Sequence, residues 1–515
     1  MLRIRSKVVF QFFTFSSIIF GFAFFVLNTA RFRYTYRAVT KAEAALERHL
    51  ELAMETNFSI IDLEPLQDLL KREKTPVRTV HKSCKQAYKP EVSSLDVING
   101  WQLYRTQLQN ISNTPSAASY VIHVKDAFFN NKRTRFVRMF TIDRMKRSIY
   151  RHANPQIFCY FWSPHTDGAT VAPASRELLN SVQTSALINR YFYAPFRYTC
   201  ALPDVPGVVF THVSLSLDAC ARNLTNYAKI TYARDENDVM RTGVYEHRFA
   251  VFVPISYGHM SDHFAVQLVE WFELHRLLGV TEFHIYNGSL TVDPKISQIF
   301  DLYARDLGVL RLHQYPPPLE TVTNLQMEAA GKILTYSAAN DCANRNKFRI
   351  EYLSVVDIDE VIVPSQVNSY EDMIAQIQPS PRKYLTFQSS NYFMEYPPDP
   401  SLPHRLPMLR HRRYVDVKNT RLKNFQNPRV CENVHSHFCL TAPFSRIRLS
   451  QGRVHHYRSR CESHHNPILW SKENCDSLQR KSVVDNSTGR FKDELLERVD
   501  RIWEILNQRN SSTTV

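Results

Sequence analysis

No internal repeat and no low-complexity tract interrupts this chain of 515 residues. Charge is missing altogether from one stretch. Val8 to Ala30 carries no acidic or basic residue and is apolar apart from Gln11, Thr14, Ser16, Ser17, Gly21, Asn28 and Thr29. A bilayer core takes roughly 20 such residues. A small-x-small cleavage site is lacking as well, because Asn28 in Asn28-Thr29-Ala30 is not small. The run therefore reads as an uncleaved signal anchor. Positive charge does not orient it, since Arg3, Arg5 and Lys7 precede the span and Arg31, Arg33, Arg37 and Lys41 follow it. The N-glycosylation triplets do: Asn57, Asn110, Asn223, Asn287, Asn486 and Asn510 all open one, and all follow the span. The expectation is a cytosolic tail over 1–7, a transmembrane anchor over 8–30 and a lumenal remainder, a type II arrangement.

What is present fits a folded lumenal protein. Hydrophobic residues make up 44% of the chain, with 32 Phe and 25 Tyr, ample for a sizeable core. The net charge of +15 could suggest nucleic acid, but an anchor and a lumenal body exclude that partner. The excess Lys and Arg would face phosphates, acidic glycans or an anionic membrane surface, or simply solvent. Nine cysteines are an odd number, so at least one is free or pairs between chains. Cys431 with Cys439, and Cys461 with Cys475, are near enough in sequence for local bridges.

Residues 31–117 read as a stem. Thr40–Ala53 has helical propensity, Ile60–Lys74 suggests a second short helix, and Pro76, Pro90 and Pro115 punctuate the polar sequence that follows. Residues 118–245 read as a β-rich region, with strands over Tyr120–Val124, Thr134–Ile142, Gln156–Phe161 and Gly207–Leu215 and a helical stretch near Arg176–Leu187. No catalytic constellation is visible there.

The stretch Val355–Pro364, V-V-D-I-D-E-V-I-V-P, carries the chemistry. The run Tyr352–Val356 reads as a buried strand that ends in Asp357 and Asp359, with Glu360 beside them. Alternation places the two aspartates on one side of an extended backbone. Two carboxylates so placed repel unless a cation sits between them. Hard divalent cations take oxygen ligands and bridge to phosphates, which suits an enzyme that holds a sugar-nucleotide diphosphate. A solvated acidic turn after a core strand is the plain alternative.

The surrounding pattern alternates strand and helix. Phe249–Ile255, Phe283–Tyr286 and Val309–Gln314 read as strands. Asp262–Leu278, capped by Asp262 and stopped by Gly279, reads as a helix, as do Pro294–Leu307 and Asn324–Asn344. Trp271 and Phe272 fall on the apolar face, Glu270 and His275 suit packing or hydrogen bonding, and Glu273 reads as solvated. This order predicts an α/β fold with a doubly wound, mostly parallel sheet and ligands at the C-terminal strand ends.

These residues resemble glycosyltransferase family 92. The resemblance rests on V-F-V-P-I at Val251–Ile255, V-E-W-F-E-L-H-R-L-L-G-V at Val269–Val280, F-H-I-Y-N at Phe283–Asn287 and the D-x-D-E block. Lys423–Pro428, Val434-His435 and H-H-Y-R at His455–Arg458 extend it. It implies a GT-A-like domain over 246–485, a C-terminal helix and tail over 486–515, and a Golgi type II membrane protein. The implied activity is a metal-dependent inverting transfer, with Mn²⁺ as the metal, UDP-galactose as the donor that relatives use, and a glycan or glycoprotein acceptor. On this basis Asp357, Asp359 and His435 are the expected catalytic residues. Lys423 and Arg458 are expected at the nucleotide diphosphate, and Asp357, Asp359 and His456 at the metal. His455 is the fallback ligand, and a plain surface histidine pair is the alternative to both. Glu395 and Asp416 lie where a base could sit, and neither is assigned. Cys431, His435, His437 and Cys439 do not match common zinc spacings, so a local disulfide is preferred. A catalytically inactive lumenal protein that binds glycans or nucleotide sugars on a degenerate transferase fold is the competing reading. A secreted hydrolase lacks a recognisable acid–base pair.

Overall fold

The computed structural model describes residues from Lys82 to Ser512, apart from internal stretches of which the longest are 109–117, 147–154 and 462–471. The expected anchor Val8–Ala30 and the stem helices Thr40–Ala53 and Ile60–Lys74 lie outside the described residues. Among those described, no helix is long and apolar enough to cross a membrane. All described residues belong to one compact unit, Arg72–Val515.

The first half of that unit is an eleven-stranded sheet running in sequence from Lys82–Cys84 to Ala228–Thr231. It takes in Trp101–Leu108, within the stretch read as stem, where W-Q-L-Y alternates and Trp101 and Leu103 are fully buried. Its longest strands, Ala118–Asn131, Arg135–Lys146 and Tyr191–Ala201, pair antiparallel. Among the described residues, the helix expected near Arg176–Leu187 does not appear. Strand Ala169–Leu178 occupies its first part, pairing Glu177 with Arg197, and Ala186–Ile188 is a further strand. The period-2 alternation of A-T-V-A-P-A-S-R-E-L prevails over helical propensity. The Cys159–Cys200 disulfide joins two strands of this sheet.

The second half alternates strand and helix as the sequence suggests: β1 (His247–Met260), α1 (Ala265–Leu277), β2 (Glu282–Val292), α2 (Pro294–Asp301), β3 (Leu310–Gln314), α3 (Asn324–Arg345) and β4 (Ile350–Val355). There follow β5 (Glu360–Pro364), α4 (Tyr370–Ile377), β6 (Tyr384–Phe387), β7 (Ser389–Phe393), α5 (Pro407–Arg410) and β8 (Arg413–Val415). The chain closes with β9 (Lys423–Gln426), β10 (Phe444–Arg446), β11 (Gly452–Arg458), α6 (Lys472–Arg480), β12 (Val483–Val484) and α7 (Lys492–Ser512). In the larger sheet β3, β2, β1 and β4 lie side by side and parallel. β9 then adds antiparallel to β4, followed by β6 and β10. β5, β11, β7, β8 and β12 form a separate five-stranded sheet.

Continuous apolar runs in β1 and β4 follow from burial on both faces. Phe249, Val251 and Val253 pack in one cluster with Trp271 and Phe272 of α1 and Ile296 of α2. Ala250 and Phe252 point the other way, to a cluster with Ala338, Ala339 and Cys342 of α3. Cys342 is the free, buried cysteine among those described.

Helix ends differ from expectation in instructive ways. Asp262 does not cap its own helix. The Asp262 N–H donates to Asp293 Oδ2 at 3.0 Å, and the Lys295 N–H donates to Asp262 Oδ1 at 3.1 Å. The beginnings of α1 and α2 thus cap each other. Gly279 stops α1 as expected, at a φ of 109° that suits glycine. α2 is shorter than expected and widens into i→i+5 turns over Leu302–Asp306. Glu273 is not solvated. It is buried and accepts from Tyr303 Oη at 2.6 Å and Arg276 Nη1 at 2.7 Å. Packing of α7 and α5 against α1 covers the face that a lone amphipathic helix would leave wet. Glu270 is buried too, accepting the Met408 and Leu409 N–H groups of α5 at 2.6 and 2.8 Å, and burial pushes its carboxyl up to about 8.

His275 completes that interface. Its Nδ1–H donates to the Trp271 carbonyl at 2.9 Å, while Nε2 is buried without a partner among the described residues. Burial holds the imidazole down to about 4, the Trp271 carbonyl offsetting only part of that. In the unfolded chain it titrates near 6.5. Between these values the unfolded state binds a proton that the folded state rejects. Stability present above about pH 6.5 is therefore lost toward pH 4, by about 3 kcal/mol from this residue alone. Urea unfolding across that window should show the loss in the wild type and a smaller one in His275→Gln.

Candidate active site

β4 ends at Val355, and the Val356 N–H still reaches the Phe252 carbonyl of β1 at 3.1 Å. There the chain leaves the larger sheet. It turns over Asp357–Glu360 and enters the smaller sheet as β5. The expected extended D-x-D is in fact this turn. The Glu360 N–H donates to the Asp357 carbonyl at 3.0 Å, and the Asp357 N–H donates to Glu360 Oε2 at 2.9 Å. Because the backbone turns, the two aspartates do not share one partner.

Asp357 faces Lys423. Lys423 stands at the start of β9, the strand that pairs with β4, and its Nζ lies 2.9 Å from Asp357 Oδ2 and 2.7 Å from Glu360 Oε2. The lysine side chain is 2% exposed, so these two carboxylates are its internal counter-charges. Asp359 faces His456 instead, with Nε2 to Oδ2 at 3.2 Å. The register of β5 against β11 sets this up, because Glu360 pairs directly with His456. His456 Nδ1 lies 3.5 Å from Glu360 Oε1. Glu360 is therefore the hub of the cluster, and its own carbonyl accepts the Trp271 indole N–H at 3.0 Å.

The electrostatics follow from these contacts. Burial opposes the charges on Asp357 and Lys423, but each is outweighed by the other. Asp357 is held at about 2, and Lys423 is lifted above the ordinary lysine range with Glu360 adding to the effect. Glu360 is raised by burial and by its aspartate neighbours, against the pull of Lys423. Burial lowers His456, yet Asp359 and Glu360 raise it further.

The other sequence candidates fall into place around this cluster. His435 is buried. Its Nε2 contacts Tyr336 Oη of α3 at 2.6 Å, and its ring stacks on Phe438 at 3.9 Å. Arg458 lies two residues beyond His456 on β11, in register with Phe393. His455, the fallback ligand, is turned away into the core, with Nε2 3.2 Å from Asp485 Oδ2 and 3.1 Å from Tyr392 Oη. Adjacent strand residues point oppositely, so one histidine of the pair serves the cluster and the other the interior. Glu395 accepts the Cys461 N–H at 2.7 Å, and Asp416 accepts from Ser390 Oγ at 2.5 Å. The zinc spacing resolves as expected: Cys431 and Cys439 form a disulfide, as do Cys461 and Cys475.

Two residues near the cluster had no role in the sequence reading. Glu360 was visible beside the aspartates, and only its pairing with His456 shows that it ties the group together. His437 donates from Nδ1 to the Leu422 carbonyl at 2.9 Å, next to Lys423, and its ring helps keep Asp357 ionised.

Oxygen and imidazole donors converge at Asp359 and His456, both half-buried, and that pair fits a divalent cation. Asp357 has one carboxylate oxygen engaged by Lys423. Among the described residues no group of three or more His, Cys, Asp or Glu is gathered as a ready-made metal site. Lys423→Met would leave Glu360 buried without its cation and should cost about 3 kcal/mol of stability. Adding Glu360→Gln should recover part of that loss in urea unfolding.

No curated protein sequence matches the chain. Among solved structures it is similar to the galactosyltransferase LgtC in complex with donor and acceptor sugar analogs, at 11% identity, over 47% of this chain and 99% of that chain, with a TM-score of 0.22. It is also similar to ferredoxin-NADP+ reductase from Plasmodium falciparum, at 8% identity, over 45% of this chain and 82% of that chain, with a TM-score of 0.13. Likenesses this faint carry no argument about the chain. The family comparison does: the model of glycosyltransferase family 92 matches residues 253–499, spanning the D-x-D turn, Lys423 and His456 and running into α7. By that match residues 253–499 are similar to a glycosyltransferase family 92 domain.

Proposed function

We propose that this is a Golgi type II membrane glycosyltransferase. Its α/β part is a GT-A-like, doubly wound domain that moves a sugar from a UDP-linked donor to a glycan acceptor with inversion. UDP-galactose is the first donor to test, and Mn²⁺ the metal. The observation that carries the reading is the cluster at the C-terminal end of β4. There Asp359 meets His456 and Asp357 meets Lys423, at the edge of parallel strands where ligands of α/β sheets bind.

Asp359 and His456 would hold the cation. When bound, it would neutralise the charge that develops on the departing nucleoside diphosphate. Asp357 is kept ionised at neutral pH by Lys423. The Lys423 ammonium, buried between two carboxylates, is a fixed positive point beside the diphosphate. Glu360 holds Lys423, His456 and the Asp357 backbone in one arrangement, so the site need not reorganise its charges during transfer. Arg458 and His435 would line the donor and acceptor sides.

The anchor reading draws on the uncharged run Val8–Ala30 and on the glycosylation triplets that follow it. Asn223 and Asn486 are exposed, whereas the Asn287 side chain is half-buried and bonded to the Leu290 backbone. Glycosidase treatment should lower the apparent mass of the expressed protein, and alkaline extraction should leave it in the membrane. Asn287→Gln should not change the glycosylated mass. Release of a product cleaved just after the apolar run would refute the anchor.

For the chemistry, a screen of UDP-sugars with Mn²⁺ should reveal transfer or donor hydrolysis. Asp359→Ala should lower kcat by at least about a hundredfold while the fold persists, because this half-exposed carboxylate contributes charge more than packing. Asp357→Ala should be nearly as severe. His456→Ala should lose less and recover partly at high Mn²⁺. Full-rate transfer by the wild type in excess chelator would sink the metal assignment.

A further inference from the structure

The loop from Cys431 to Cys439 is tied down from four directions. The Cys431–Cys439 disulfide closes its base. Asn340 of α3 accepts the Val434 N–H and donates to the Val434 carbonyl, both at 2.9 Å. Gln426 of β9 donates to the His435 carbonyl at 3.0 Å. The fourth tie comes from the β-rich sheet, outside the family match. Arg138, on strand Arg135–Lys146, donates from Nη2 to Glu432 Oε2 at 2.8 Å. Arg197, on strand Tyr191–Ala201, donates from Nη1 to the Glu432 carbonyl at 3.1 Å. The side chains of Arg138 and Arg197 are 4% and 3% exposed, so these charge-assisted contacts are shielded from solvent.

His437 is what this loop brings to the cluster. A carbonyl can only accept, so the contact with the Leu422 carbonyl fixes the proton on His437 Nδ1. Leu422 directly precedes Lys423, whose Nζ holds Asp357. The imidazole is therefore anchored to the same segment that carries the buried ammonium. The segment 431–439 has no regular secondary structure beyond one bridge, Val434 with Cys439, so its shape depends on these ties.

We propose that the β-rich region is a working part of the transfer site: Arg138 and Arg197 are positioning residues that act through Glu432 and the Cys431–Cys439 loop to set His437 beside Asp357 and Lys423, where its ring contacts the diphosphate of the donor. This rests on the donor site proposed above. It gives a role to strands that no family match covers, and it makes the α/β part dependent on them for donor affinity rather than for folding alone. With Nδ1–H held by the Leu422 carbonyl, the ring would reach phosphate oxygens as an imidazolium, whose Nε2–H adds a directional donor to the point charge of Lys423.

The test uses the full-length protein with Glu432→Ala, Arg138→Met, His437→Ala and the Glu432→Ala/His437→Ala double variant. Each single change should lower kcat/KM for the UDP-sugar about tenfold, mostly through KM, with the thermal midpoint shifted by only a few degrees. The double variant should be no worse than His437→Ala alone, because both act on one contact. Arg138→Lys should restore part of the loss. Wild-type KM in Glu432→Ala, or additive losses in the double variant, would overturn the proposal. A second readout needs no transfer. In protein labelled with ¹⁵N-histidine, the His437 signals, assigned by difference against His437→Ala, should show a single Nδ1–H tautomer in the wild type and a mixture in Glu432→Ala. If the tautomer changes while the wild type neither binds UDP nor transfers sugar, the positioning stands and the transferase reading falls. An unchanged tautomer in Glu432→Ala overturns the positioning itself.

Discussion

A buried ammonium has to find its counter-charges inside the protein, and at Lys423 that requirement organises the whole site. Taking such an ion out of water costs several kcal/mol, recovered only when close partners of opposite charge are fixed around it. Lys423 finds Asp357 at the end of β4 and Glu360 at the start of β5. β4 belongs to the larger sheet and β5 to the smaller one. One lysine thus holds the point where the chain changes sheets, and the tight turn over Asp357–Glu360 is the backbone expression of that charge balance. Asp359 is left at the outer side of the turn, facing His456.

β11 is the counterpart of that turn. His456 looks toward the carboxylates, while His455 looks inward to Asp485 and Tyr392. Asp485 also accepts from Tyr392 Oη at 2.5 Å and directly follows β12. Burial lowers His455 in spite of that carboxylate. An inward histidine held below the ordinary imidazole range and an outward one raised above it therefore sit on consecutive residues. The buried network behind β11 fixes the strand, and a fixed strand fixes where the outward ring can go. α7 stands in turn against α1, whose Trp271 reaches back to the Glu360 carbonyl. The C-terminal helix, which the sequence presents as an appendix, closes the circuit of supports around the cluster.

Much of the α/β part is legible in the sequence because its signals are long and periodic. Strands buried on both faces read as apolar runs, and α1 reads from the spacing of Leu268, Trp271, Phe272 and His275. What is not legible depends on partners distant in sequence. Glu273 looks solvated until Tyr303 is placed over it. Asp262 looks like the cap of its own helix until Asp293 is brought alongside. The stretch Arg176–Leu178 looks helical until Tyr191–Ala201 offers a strand to pair with. At the site, the residue types were readable and the geometry was not. Nothing in V-D-I-D-E says that the backbone turns there, because the turn is stabilised by Lys423, more than 60 residues away. His437 was legible as a histidine in an unusual cysteine spacing. Its link to Leu422 is a contact that no local pattern announces.

The odd cysteine has a consequence of its own. Cys342 lies wholly inside α3, packed among Ala338, Ala339 and the inner faces of β1 and β4, and burial pushes its thiol well above the ordinary range. Thiolate is the form that attacks disulfides, and this one is withheld both by position and by protonation. A chain that forms several disulfides while carrying one spare thiol runs the risk of mispairing as it folds. Here the risk has a time limit. Once α3 docks on the sheet the spare thiol is out of reach, so the order in which helix and bridges form decides whether the right partners are found. Afterwards the same burial makes Cys342 a tamper seal, silent for as long as α3 stays in place.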